Sequence, residues 1–104
     1  MFVAACARQS TGASETPEAA DFRMICEEAT TPASTKDIDA RATAFAHAVD
    51  VKLRATGSRK VWNAAGMEAN NAKLATLREG AGELNVRGWD CPALTTLYGP
   101  QAAK

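Results

Sequence analysis

The side chains with the most chemistry in them are three cysteines, Cys6, Cys26 and Cys91, and the sole histidine, His47, in a chain of 104 residues. His47 has Asp50 one helical turn on and Asp39 two turns back, a spacing that can imitate an acid–base pair. Turning each residue about a helix axis, however, puts all three on the polar face, in water, so a solvated surface histidine is expected and no catalytic residue is assigned. A zinc site needs about four ligands at close spacing. Cys26, His47 and Cys91 are far apart and form no C-x-x-C pair, so neither a metal nor any other cofactor is expected. No nucleophile elbow, zincin helix or phosphate-cradling glycine loop is present. Thr56-Gly57-Ser58-Arg59-Lys60 combines glycine, hydroxyls and positive charge, but reads more simply as a helix stop at Gly57 and a new helix capped by Ser58.

The first cysteine sits in Val3-Ala4-Ala5-Cys6, followed by Ala7. An aliphatic residue and two small ones before a cysteine resemble the lipobox of bacterial lipoproteins. The resemblance implies a lipid on the Cys6 sulfur, cleavage just before it, and a mature chain that starts at Cys6. Five residues precede Cys6, so the charged start and apolar run of such a leader would lie upstream of Met1. Ala7 in place of aspartate implies, by the same analogy, an outer-membrane destination. With Cys6 acylated, Cys26 and Cys91 remain as an even pair in an oxidising compartment, which favours a disulfide over two buried cytosolic thiols. Closing about 65 residues, it would contribute roughly 4 kcal/mol in the chain-entropy model.

The elements that position these groups are helical throughout. Ala7 to Ala20 carry no large apolar side chain and read, with residues 1–6, as a leader remnant and solvated tether; if it is a coil, that stretch spans roughly 20 Å. Residues 21–99 read as the helical domain and 100–104 as a tail. A first helix is expected over about Ala19–Ala29, with Phe22, Ile25 and Cys26 at helical spacing. A long one follows over about Lys36–Thr56, capped by Ser34 or Thr35. Its stripe at steps of three and four is Ile38, Ala42, Phe45, Val49, Leu53 and Thr56. A further arc of Ala40, Ala44, Ala48, Val51 and Ala55 is narrow enough for close helix packing. A segment through Val61, Trp62 and Ala65 then leads to a helix over about Glu68–Leu84, in which Gly80 and Gly82 each cost about 1 kcal/mol relative to alanine. Asn85 to Asp90 is a loop, and a last short helix beside Pro92 carries Leu94, Leu97 and Tyr98 before Gly99-Pro100. The expected fold is all-α, a small disulfide-stapled bundle of about four to five helices.

Composition limits what this bundle can do. Hydrophobic residues supply 46% and aromatic ones only 6%, so the core is alanine-rich and thin, and a staple would matter. Twelve basic and twelve acidic residues cancel, and no basic stripe offers nucleic acid a grip. No run approaches the ~18 apolar residues of a membrane span, so membrane attachment would come only through the lipid.

The order helix, Cys26, long helical middle, then Cys91-Pro92-Ala93-Leu94 resembles small exported proteins of Gram-negative bacteria over about Phe22–Leu97. That resemblance implies a periplasm-facing helical domain with paired cysteines and brings no activity with it. Trp62 is expected in the core. Trp89 either lids the core over the disulfide or, with Arg87, presents an aromatic and cationic anchor of the kind that dominates binding hot spots. The leading expectation is thus a cell-envelope lipoprotein that binds a protein partner, not an enzyme. A soluble periplasmic inhibitor or effector-like binder predicts the disulfide without the lipid. A small enzyme predicts His47 at the wall of a deep pocket, and a cytosolic structural protein predicts free thiols.

Overall fold

Thr16-Pro17 starts the first helix by two mechanisms at once. The Thr16 side chain accepts a hydrogen bond from the Ala19 N–H at 3.1 Å, and Pro17 occupies the first turn, where its missing N–H costs nothing. The structure, a computed structural model, describes residues 15–31 and 36–101. Within them run α1 (Pro17–Thr30), α2 (Ile38–Lys52), α3 (Thr56–Gly66), a 3-10 turn (Asn70–Ala72), α4 (Lys73–Glu83) and α5 (Leu94–Tyr98). The protein is an all-α bundle, as the hydrophobic periodicity implied. Because α1 begins at Pro17, residues up to Ala20 that read as tether are helix, and Glu15 is held by the Arg23 guanidinium at 2.8 Å.

Helix α1 is the axis of the molecule and packs against every other helix. Phe22 and Ile25, both fully buried, point into a core completed by Phe45 and Val49 of α2, Leu74 and Leu77 of α4, and Leu94 of α5. On one side α2 leans on α1 and α5; on the other, α3 and α4 form a tight antiparallel pair. Gly80 sets the spacing of that pair. A Cβ built there would come within 2.6 Å of the Val61 Cγ2 and 2.9 Å of its Cβ, so the glycine that looked like a helix weakener is what lets the two helices meet.

The long central helix expected over about Lys36–Thr56 ends early. Helix α2 ends at Lys52, Leu53 is extended with ψ 137°, and α3 starts at Thr56. Gly57 is therefore not a stop but part of the first turn of α3, packed so closely that a Cβ would fall 2.8 Å from Leu84. Ser58 is not a cap either. It is fully buried within α3, and its hydroxyl has no hydrogen-bond partner among the described residues. At the start of α2, Asp37 takes the N-cap and accepts from the Asp39 N–H at 3.0 Å; the expected caps Ser34 and Thr35 lie outside the described residues.

The break is imposed from α1. The backbone N–H groups of Arg54 and Ala55 donate to the buried carboxylate of Asp21, at 3.1 Å and 2.9 Å. The N-cap residue of α3 is Ala55, which has no side chain able to cap. Asp21 supplies the missing acceptor from another helix and puts its negative charge at the positive end of α3. The same substitution recurs at α4, whose N-cap is Ala72: there Gln101 accepts from the Leu74 N–H at 3.2 Å and donates to the Asn70 carbonyl at 3.1 Å. Gln101, which read as part of the tail, thus closes an internal helix end. At its other end α4 finishes in a local Schellman motif, with Asn85 left-handed at φ 66° and the Val86 N–H returning to the Ala81 carbonyl at 2.8 Å.

Asp21→Ala removes the side-chain acceptor of the Arg54 and Ala55 N–H groups and is expected to lower stability by about 1–3 kcal/mol. Asp21→Asn keeps one carbonyl acceptor and should lose less. Urea titrations followed by far-UV circular dichroism measure both.

Candidate functional site

Two of the sequence-derived residues meet. Cys26, half-buried on α1, and Cys91, fully buried at the end of the loop before α5, are joined as a disulfide with their Cα atoms 5.5 Å apart. The bond ties the axis helix to the last loop across a sequence separation of 65. Asp90 stiffens the same corner: its carboxylate takes the Arg78 guanidinium at 2.8 Å and the Cys91 N–H at 2.8 Å. The Arg78 hydrogen bond in particular holds the Asp90 carboxyl below the usual carboxylate range.

Trp89 covers this corner. Its indole N–H donates to the Phe22 carbonyl at 2.8 Å, and its ring meets Phe22 edge to face at 5.1 Å. The residue is half-buried and borders a shallow hollow shared with Arg23, Cys26 and Glu27. Of the two roles open to Trp89, the lid is the one its hydrogen bond serves. Arg87 is exposed at the surface of the same loop. Cys6 lies outside the described residues.

His47 stands exposed on α2 and lines none of the hollows on either side of that helix. Its neighbour Asp50 is held by Arg59, whose guanidinium reaches the Asp50 carboxylate and the Asp50 carbonyl, each at 2.9 Å. Among the described residues no group of three or more histidine, cysteine, aspartate and glutamate side chains could hold a metal ion. No helix of these residues is long and apolar enough to cross a membrane.

The largest departure from the sequence reading is a cleft. Helices α2 and α3 diverge from their short connection, which the Arg59–Asp50 bridge braces, and leave a space of about 360 Å³ between them. Ala42 and Ala46 of α2 form one wall and Trp62 and Asn63 of α3 the other, with Leu77 and Tyr98 beneath. Phe45 organises the aromatic side chains there, edge to face with Trp62 at 5.7 Å and with Tyr98 at 6.2 Å. Trp62, expected in the core, packs against it but is half-buried, with one side on the cleft. The apolar stripe on α2 splits for the same reason: Phe45 and Val49 are buried, Ala42 lines the cleft, and Ile38 is exposed. On its remaining arc Ala44 and Ala48 border a second groove of about 230 Å³ against α1, whereas Val51 faces solvent.

Lys73 closes one end of the cleft and has its three N–H bonds already used. It donates to the carbonyls of Ala65, Gly66 and Glu68 at 3.1, 3.3 and 2.8 Å, capping the C-terminal end of α3. Its ammonium also lies 5.7 Å from the Tyr98 ring centroid. Burial pushes the Tyr98 phenol up to about 12, so it is a neutral hydroxyl at any physiological pH.

Two measurements follow from this geometry. Cys26→Ser with Cys91→Ser should cost about 2–4 kcal/mol in urea unfolding, chiefly by freeing the unfolded chain. Tyr98 is the only tyrosine, so the phenolate absorbance titrates it alone. The transition should centre near pH 12 in the native protein and near 10 in urea. Because the folded value is the higher one, the associated stability is fully present below pH 10 and lost as pH rises toward about 12. No protein-family model, no curated protein and no solved structure matches this chain.

Proposed function

We propose that this chain is the helical body of an exported bacterial lipoprotein, held at the envelope by a lipid on Cys6 and acting as a protein-binding or structural module. The observation that carries the reading is the Cys26–Cys91 disulfide. Disulfides persist in the periplasm and are reduced in the cytosol, and a small domain with a thin core is where one matters most. The Val3-Ala4-Ala5-Cys6 sequence supports the anchor, because a cysteine preceded by small residues is the chemistry of lipid attachment. The staple consumes the other two thiols, which leaves Cys6 as the one cysteine to modify.

The test is intact mass spectrometry of the protein extracted from its native host after thiols are alkylated in the living cells. A chain that begins at Cys6, carries a diacylglyceryl mass and resists alkylation at Cys26 and Cys91 is expected. Cys6→Ala should abolish both the diacylglyceryl mass and the cleavage before residue 6, with the disulfide intact. Alkylated Cys26 and Cys91 would overturn the export reading. A disulfide without a lipid would replace the anchored module by a soluble periplasmic binder.

A further inference from the structure

Four side chains that border the cleft between α2 and α3 carry polar atoms for which the described residues supply no hydrogen-bond partner. Thr43, Trp62, Asn63 and Tyr98 all line it. None of their side-chain polar atoms makes a hydrogen bond among the described residues, although Trp62 and Tyr98 are half-buried. Trp89 is the contrast: its indole N–H is bonded to a backbone carbonyl. Small alanine residues stand opposite the half-buried Trp62 and Tyr98, and at about 360 Å³ the cleft is within the range of small-ligand sites.

The charge in the cleft decides what kind of ligand fits. Among the described residues Lys73 is the only charged one lining it, and its N–H groups all point at carbonyls at the end of α3. An anion would therefore find no free charged donor, and a cation would meet an ammonium. A neutral ligand remains. A plain hydrocarbon ring would cover the aromatic faces but strip water from the four polar groups without replacing it, at about tenfold in affinity for each group fully desolvated. A polyhydroxylated ring avoids that loss. Its C–H face packs on an aromatic side chain while its hydroxyls exchange hydrogen bonds with the amide, the indole N–H and the two hydroxyls.

We infer that the cleft between α2 and α3 is a binding site for a neutral saccharide ring, resting on the Trp62 and Tyr98 side chains and held by Asn63 and Thr43. The site is independent of the lipid and of export, since every residue in it belongs to the folded body.

The full chain, labelled with nitrogen-15 and with its disulfide intact, is titrated with glucose, N-acetylglucosamine and cellobiose, beside cyclohexanol and gluconate. The two indole N–H resonances report separately on Trp62 and Trp89. A saturable shift of the Trp62 signal with at least one sugar is expected, with Trp89 unmoved and both control compounds weaker. Asn63→Ala, an exposed substitution, should weaken that sugar about tenfold. Thr43→Val, also exposed, serves as the second variant and should weaken it several-fold. No saturable shift with any of the three sugars would overturn the inference. So would a response to cyclohexanol or gluconate as strong as to the sugars, which would mark the cleft as a site for an apolar or an anionic partner. Unchanged sugar affinity in both variants would overturn it as well.

Discussion

The carboxylate of Asp21 sits at the point where the chain changes direction between α2 and α3, and the remaining architecture is arranged around that contact. The backbone N–H groups of Arg54 and Ala55 both donate to it. A buried carboxylate is costly unless it is well solvated by the protein, and here two amides and the positive end of α3 supply that solvation. The contact ends α2 at Lys52, starts α3 at Thr56 and holds both to the axis helix. It thereby sets the divergence of α2 and α3, and the cleft is the space that divergence leaves.

Asp21 is one case of a general solution to an alanine-rich sequence. Alanine favours helix but cannot cap one, and it buries little area. The N-caps of α3 and α4 are both alanine, and neither makes a local side-chain hydrogen bond. Their exposed ends are completed instead by Asp21 and Gln101, while Lys73 caps the C-terminal carbonyls of α3. These three side chains double as tertiary links, so the thin core is reinforced at both ends of α3 and at the start of α4. The disulfide works in the same direction, tying α1 to the loop before α5 at the corner that Trp89 covers and Asp90 braces. Small residues contribute through close approach: Gly80 under Val61 and Gly57 under Leu84 bring α3 and α4 into contact that larger side chains would forbid.

Periodicity was a good guide to helix interiors. Phe22 and Ile25, Phe45 and Val49, and Leu74 and Leu77 were legible as core from their spacing, and all are buried. It was a poor guide to helix ends and to what faces a cleft. The stripe from Ile38 to Thr56 runs on at helical spacing, yet the helix stops at Lys52 because a carboxylate more than thirty residues earlier takes the Arg54 and Ala55 N–H groups. Gly57 and Ser58 had the composition of a stop and a cap, and instead lie packed inside α3. Trp62 had the periodicity of a core residue, and its partner Ala42 that of the buried stripe, but the divergence of their helices leaves both on an accessible wall. Thr16 and Pro17 were the local signal for the start of α1, hidden in a stretch that composition alone marks as solvated.

By itself the sequence determined that the chain would be helical, which faces would be apolar, and that two cysteines were available to be paired, because those properties follow from 3.6-residue spacing, alanine propensity and counting. Only the tertiary structure decided where the helices end, which glycines are contact points, and that an aromatic cleft exists. Each of those depends on groups distant in sequence and adjacent in space, a relation that no local pattern of residues encodes.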